Sequence, residues 1–193
     1  MKINVVLFWV IFLTLPTRSV SQIGHVFYSL EEANTVHKDS VYNLDLSKQK
    51  LIEFPEQILT FSNLKQLNLS KNRLSNLPNE LTRLAHLEEL DISKNKFQLF
   101  PISLCSTISL KSLKLGKNEI STLPSCIGQL INLEHLDIWY NNIATLPPSI
   151  GRLKNLKTLD FRGINLSQNA QDQIQALLPS TKIEFELGCD CAH

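Results

Sequence analysis

Four cysteines and five histidines carry most of the reactive chemistry in this 193-residue chain. Cys105 and Cys126 are candidates for a disulfide, a bond that an oxidising compartment allows. Cys189, Cys191 and His193 spell C-x-C-x-H near the end of the sequence. Three ligands in a loose tail make a weak metal site, so free or loosely paired thiols are the plainer expectation and no metal is assigned. A nucleophilic cysteine needs a histidine beside it; His25, His37, His86 and His135 have no cysteine next to them in sequence. There is no HExxH, GxSxG, phosphate-loop or dinucleotide motif, so the chain reads as a non-enzyme with no cofactor.

Recognition is the other available chemistry. Trp139 and Tyr140 are large, have few rotamers and are of the types enriched at binding hot spots. His135, Asp137, Lys114 and Arg162 would make a mixed aromatic and charged patch with them, provided the fold brings these residues onto one surface.

The stretch from Leu64 to Asn155 decides that. Four 23-residue copies begin at Leu64, Leu87, Leu110 and Leu133. Each opens LxxLxLxxN and closes its first half on an apolar-Pro pair, such as Leu77-Pro78 and Leu146-Pro147. Self-similarity at this period is the mark of a stacked coil, because one copy cannot bury its own apolar residues. The alternating core of each copy predicts a short strand, and stacking predicts one parallel sheet on the concave side. The Pro and the apolar spacing after it predict short helical or 3₁₀ segments on the convex side. Asn72, Asn95, Asn118 and Asn141 fall at the ninth position and are expected to form a ladder satisfying the backbone of each turn.

The wording LDLSxNxLxxLPxxIxxLxNL resembles leucine-rich repeat proteins, both small exported bacterial ones and the plant Ras-group-related ones. The resemblance covers residues 41–166 and implies an α/β solenoid that binds protein or peptide partners through its concave sheet, with no enzymatic activity of its own. Gln49, Thr107 and Ile164 depart from the pattern.

The domain reading follows. Residues 1–21 resemble a signal peptide: Lys2, the apolar run Val5–Leu15, Pro16, then small residues before cleavage after Ser21. That run is short of the ~20 residues a spanning helix needs, so a secreted or periplasmic product without a membrane span is expected. Residues 22–40 form an N-terminal cap, with Ser29-Leu30-Glu31-Glu32 as a capping box. Six repeats occupy 41–63, 64–86, 87–109, 110–132, 133–155 and, in part, 156–166. Residues 167–186 form a C-terminal cap of helix and strand, and 187–193 a flexible tail.

In each repeat the third, fifth and seventh positions are expected on the concave face, with the eighth on its rim. Trp139 and Tyr140 replace the Ser-Lys pair found in three coils upstream, Ser47-Lys48, Ser70-Lys71 and Ser93-Lys94, which reads as common repeat wording that serves solubility. Two readings stand: a ligand contact, or Trp139 folded over the hole left by Gly116 and shielding the sheet. Asp45, Asp91, Asp137 and Asp160 share the fifth column but are too interrupted to hold a metal. The sequons at Asn68 and Asn165 matter only in a eukaryotic secretory route. The 19 basic and 18 acidic residues nearly cancel, and without Lys2 and Arg18 the balance is about −1. Such a composition gives no ground for a nucleic-acid partner or an anionic membrane. The expected function is protein binding. A surface scaffold without a discrete ligand is the alternative, as is an intracellular adaptor if the N-terminal segment is not a signal.

Overall fold

The structure is a computed structural model and describes residues 24–164 and 166–185. The expected signal segment, the end of the chain with Cys189, Cys191 and His193, and Asn165 lie outside the described residues.

Eight parallel strands follow one another in sequence order across a single sheet. They are β1 (Val26–Phe27), β2 (Asn43–Asp45), β3 (Gln66–Asn68), β4 (Glu89–Asp91), β5 (Ser112–Lys114), β6 (His135–Asp137), β7 (Thr158–Asp160) and β8 (Lys182–Glu184). Within the repeats each strand covers positions three to five. The central residue points inward, and Leu44, Leu67, Leu90, Leu113, Leu136 and Leu159 are buried in one continuous core. Their register is 23 residues per step, as in Leu67 opposite Leu90 and Leu113 opposite Leu136. No slip is allowed, because a one-residue shift would turn every leucine out to water.

The convex returns are 3₁₀ turns of five residues, among them Asn79–Arg83, Ile102–Ser106 and Ser125–Gln129. Pro78, Pro101 and Pro124 stand immediately before these turns and have no N–H to leave unpaired. Five residues are too few for a stable α-helix, which accounts for the tighter form.

The ninth-position asparagines close the stack. Asn118 Nδ2 donates to Ile92 O at 3.1 Å and Leu115 O at 2.8 Å, while its Oδ1 accepts from Phe97 N at 3.1 Å. Asn72, Asn95 and Asn141 repeat the arrangement one coil at a time. Gln49 has a different task. Its longer side chain donates to Tyr28 O at 2.8 Å and ties the first coil to the cap.

The N-terminal cap differs from its sequence reading in two ways. Val26–Phe27 adds a strand beside β2, with Phe27 opposite Leu44 and buried; two residues are too few to show a period. In helix α1 (Leu30–Ala33), Ser29 Oγ accepts from Glu32 N at 3.0 Å, as a capping box requires. Glu32 does not reach back to Ser29, however. It accepts from Tyr28 N at 2.9 Å and lies 3.2 Å from His25 Nε2. At the other end α2 (Gln168–Leu177) buries Ile174 against the last coil, and β8 pairs with β7.

On the convex side Cys105 and Cys126 are joined by a disulfide, with Cα atoms 5.5 Å apart. The two-position offset between them costs little distance because a 3₁₀ turn advances only about 2.0 Å per residue. Thr107 stands where other coils carry Leu, and it is buried by returning its hydroxyl to Ser103 O at 3.3 Å.

Candidate functional site

The concave wall is built from the third and fifth positions of each coil. The fifth position has a local duty that its acidic column conceals. Asp45 Oδ1 accepts from Ser47 N at 2.8 Å, Asn68 from Ser70 N, Asp91 from Ser93 N, Asp137 from Trp139 N and Asp160 from Arg162 N. Each side chain therefore ends its own strand by accepting the N–H two residues on. Lys114 is the exception among the repeats. An ammonium has no lone pair to offer, and the Lys114 side chain is exposed.

In three of the six coils the seventh position is not on the open wall where the sequence reading placed it, while Arg162 is exposed as expected. Ser70, Ser93 and Gly116 are buried, because the chain here is already turning towards the asparagine ladder. Trp139 is too large to follow them. It leans across the neighbouring coil, and a Cβ built on Gly116 would lie 2.0 Å from its Nε1. Tyr140 rests against the coil on the other side, where a Cβ on Gly163 would lie 2.5 Å from its Cδ2. The two rings meet edge to face at 5.3 Å. Lys117 Nζ lies 5.0 Å and Lys94 Nζ 5.8 Å from the Trp139 ring centre.

The rest of the expected patch is largely paired within the chain. Arg162 holds Asp160 with two bonds, Nε to Oδ1 at 2.9 Å and Nη2 to Oδ2 at 2.6 Å. Burial raises the Asp160 pKa, but those bonds and the positive charge outweigh it and leave the carboxyl below its usual range. His135 Nδ1 lies 2.8 Å from Thr158 Oγ1. Asp137 is pushed up to about 6, first by burial and then by Asp160 and Asp91, against the opposing N–H bonds from Trp139. Lys114 and the half-exposed Tyr140 are the members left without an ion pair or hydrogen bond from the side chain among the described residues.

Family models match at both ends of the array: a leucine rich repeat model over residues 39–97 and a two-copy leucine rich repeat model over 131–178. The chain is a leucine-rich repeat protein. A leucine-rich repeat protein of Leptospira interrogans matches at 36% identity and a TM-score of 0.71, over 77% of this chain and 38% of that one. An internalin of Listeria monocytogenes matches at 21% identity and 0.65, over 76% and 42%. The ectodomain of the Arabidopsis thaliana receptor kinase GASSHO1/SCHENGEN3, solved in complex with CASPARIAN STRIP INTEGRITY FACTOR 2, matches at 28% and 0.61, over 76% and 18%. This chain thus spans less than half the length of each. No curated protein sequence matches it.

Two hollows indent the concave wall of this repeat protein. One, of about 230 Å³, lies over β2 to β5 and is lined by Asp45, Asn68, Glu89 and Asp91 among others. The other, of about 370 Å³, lies over β5 to β7 and is lined by His135, Asp137, Thr158 and Asp160. Ser112 and Lys114 border both. Asn68, the described sequon residue, faces the first hollow and gives its Nδ2 to Asp45 Oδ2 at 3.1 Å.

Sequence reasoning missed the rim at the start of the strands. The second position alternates in sign down the stack: Lys65, Glu88, Lys111, Glu134, Lys157. Glu88 sits between Lys111 at 2.7 Å and Lys65 at 3.8 Å, and Lys157 pairs with Glu134. The hydrogen bond from Lys111 holds the Glu88 carboxyl below its usual range. Beside this row runs a second asparagine ladder at the last position of the repeat. Asn132 Nδ2 donates to Ile108 O and Asn155 Nδ2 to Ile131 O. Writing the repeats one under another and reading down the columns would have exposed both rows.

Proposed function

We propose that this protein is an exported, non-enzymatic module that binds a protein segment along its concave wall, with Lys114 at the centre of contact. The observation that carries this reading is the break in the fifth column. Five coils use that position to accept the N–H that ends the strand; one gives the acceptor up for a cation, between two hollows, that has no ion pair among the described residues. A side chain that abandons a local structural duty at an open surface calls for another role. Asp91 and Asp137 stand directly beside Lys114 in the sheet register. The complementary segment is therefore an acidic residue flanked by basic or polar ones, laid across the strands.

Trp139, Tyr140, His135, Asp137 and Arg162 form the C-terminal flank of the same surface. Their internal pairing makes them a preformed wall, which lowers the entropy cost of docking. The plant ectodomain, built on repeats of the same kind, was solved with a bound factor. Export is supported by the apolar run in residues 1–21 and by the Cys105–Cys126 bond, which persists in oxidising compartments.

The test is affinity capture from the surrounding medium or host extract with the mature chain, Lys114→Glu and Trp139→Ala. Expected is a protein held by the parent and lost about tenfold or more on reversing the central charge, a change of ~1.4 kcal/mol or more. Trp139→Ala should weaken it less. Equal capture by the parent and Lys114→Glu removes Lys114 from the site, and no capture at all leaves a scaffold role. N-terminal sequencing of the secreted product should begin at Gln22; an uncleaved, retained chain would sink the export reading.

A further inference from the structure

The rim at the far end of the strands carries a row of charge with no ion-pair partner among the described residues. The eighth position is Lys48, Lys71, Lys94 and Lys117 in four successive coils, and the tenth is Lys50, Arg73 and Lys96 in three. All seven side chains are exposed, and none forms an ion pair among the described residues. Backbone bonds hold the coils in register here: Lys48 N to Ser70 O, Lys71 N to Ser93 O, Lys94 N to Gly116 O. Glu119 closes the inner row and is engaged by Gln98 Nε2 at 3.3 Å. Composition does not show this row, since the balancing acids sit on the concave wall and the opposite rim.

The backbone does not account for the lysines. Lys48, Lys71, Lys94 and Lys117 all have φ between 54° and 60°. That left-handed region favours Gly, Asn and Asp over long side chains. Tyr140, at the same position of the next coil, has φ 48°, so the turn sets the conformation and does not choose the lysine. Like charges repeated at strand spacing also repel one another, a cost the opposite rim avoids by alternating sign.

We propose that this rim binds a linear sulfated polysaccharide. Spacing is the first argument. The cations recur at about 4.8 Å, the distance between neighbouring strands, which is close to the advance of one pyranose along an extended chain. Side chains on one face of an extended peptide recur at about 6.7 Å and would be out of step by roughly 6 Å after three coils. Side-chain chemistry is the second. Six of the seven are lysines, point charges that suit sulfate and lack the fork that reads carboxylates in pairs. Aromatic rings stand only at one end of the row, in Trp139 and Tyr140, so the row as a whole lacks the repeated stacking platforms that successive nucleobases use. At the end of the row Trp139 fixes Lys94 and Lys117 over its ring and, with Tyr140, presents an apolar step against which a sugar face can pack.

The test titrates a heparin oligosaccharide against the folded chain over a range of salt. Expected is an affinity that falls steeply with salt and drops about tenfold or more in the pair Lys71→Glu/Lys94→Glu. Lys65→Gln on the opposite rim and Lys114→Glu on the wall should each leave it within about twofold, so this result is independent of the concave reading. Circular dichroism of each variant confirms that the coil stack is intact. Three outcomes overturn the proposal: no binding of heparin, loss that does not follow the Lys71 and Lys94 charges, or equal or tighter binding of polyglutamate, oligothymidylate or anionic phospholipid vesicles.

Discussion

The two rims of the sheet are made by the same repeat and solve the problem of charge in opposite ways. At the start of the strands Lys65, Glu88, Lys111, Glu134 and Lys157 alternate, and each acid is held by a neighbouring lysine. At the end of the strands seven cations of one sign stand side by side. A stacked coil repeats whatever a position holds, so alternation must be written into successive copies, and uniformity leaves a field directed outward. The backing differs too. The open rim rests on the inner asparagine ladder, with at least three bonds per residue, and is expected not to need its charges for stability. The paired rim rests on exposed asparagines such as Asn132, with a single side-chain bond to the neighbouring coil.

The ladders give the largest contrast. Asn118→Ala strands the Phe97 N–H in the core and takes one of two amide donors from each of Ile92 O and Leu115 O, and should cost about 2–3 kcal/mol in urea unfolding; Asn132→Ala should cost less than about 1 kcal/mol. Comparable losses would erase the distinction between the rims. Next is Glu88→Lys, which turns two attractions into repulsions and should cost about 1–2 kcal/mol at low salt.

Asp137, on the wall between the rims, supplies a pH test. Its folded pKa, about 6, lies above the ordinary 3.8. The folded state therefore favours the protonated acid. The contribution is fully present below about pH 3.8 and is lost as pH rises through 6. Asp137→Asn should remove this dependence and, at neutral pH, raise stability by on the order of 1 kcal/mol after allowance for solvent screening. A variant with the parent's pH profile between 4 and 7 would contradict it. The smallest expected effect is Lys71→Glu/Lys94→Glu on the open rim, within about 0.5 kcal/mol of the parent or slightly more stable.

Much of this was legible in the sequence, and for a physical reason. Leu67, Leu90, Leu113 and Leu136 repeat at a fixed interval because neighbours must share them, so the sheet, its order and the asparagine ladder follow from spacing alone. The β1 strand did not follow, since Val26–Phe27 has no repeat of its own to betray it. Trp139 and Tyr140 were conspicuous as types, yet their posture depends on Gly116 and Gly163, one coil away on either side. The role of Asp45 and Asp91 in ending strands was hidden because a bond two residues long leaves no periodic mark distinct from the repeat itself. The paired rim lay in a column that no single copy displays, whereas the lysines of the open rim were visible and read as repeat wording.

The division between a holding rim and an open rim can be measured directly by urea midpoints of the parent, Glu88→Lys and Lys71→Glu/Lys94→Glu, at low salt and at about 1 M, where the screening length falls to ~3 Å. Expected is a loss for Glu88→Lys that shrinks in high salt, alongside no loss, or a small gain that vanishes with salt, for the open-rim pair. An open-rim variant that loses as much as Glu88→Lys would mean that those lysines hold the fold, and that the rim is not free for a partner.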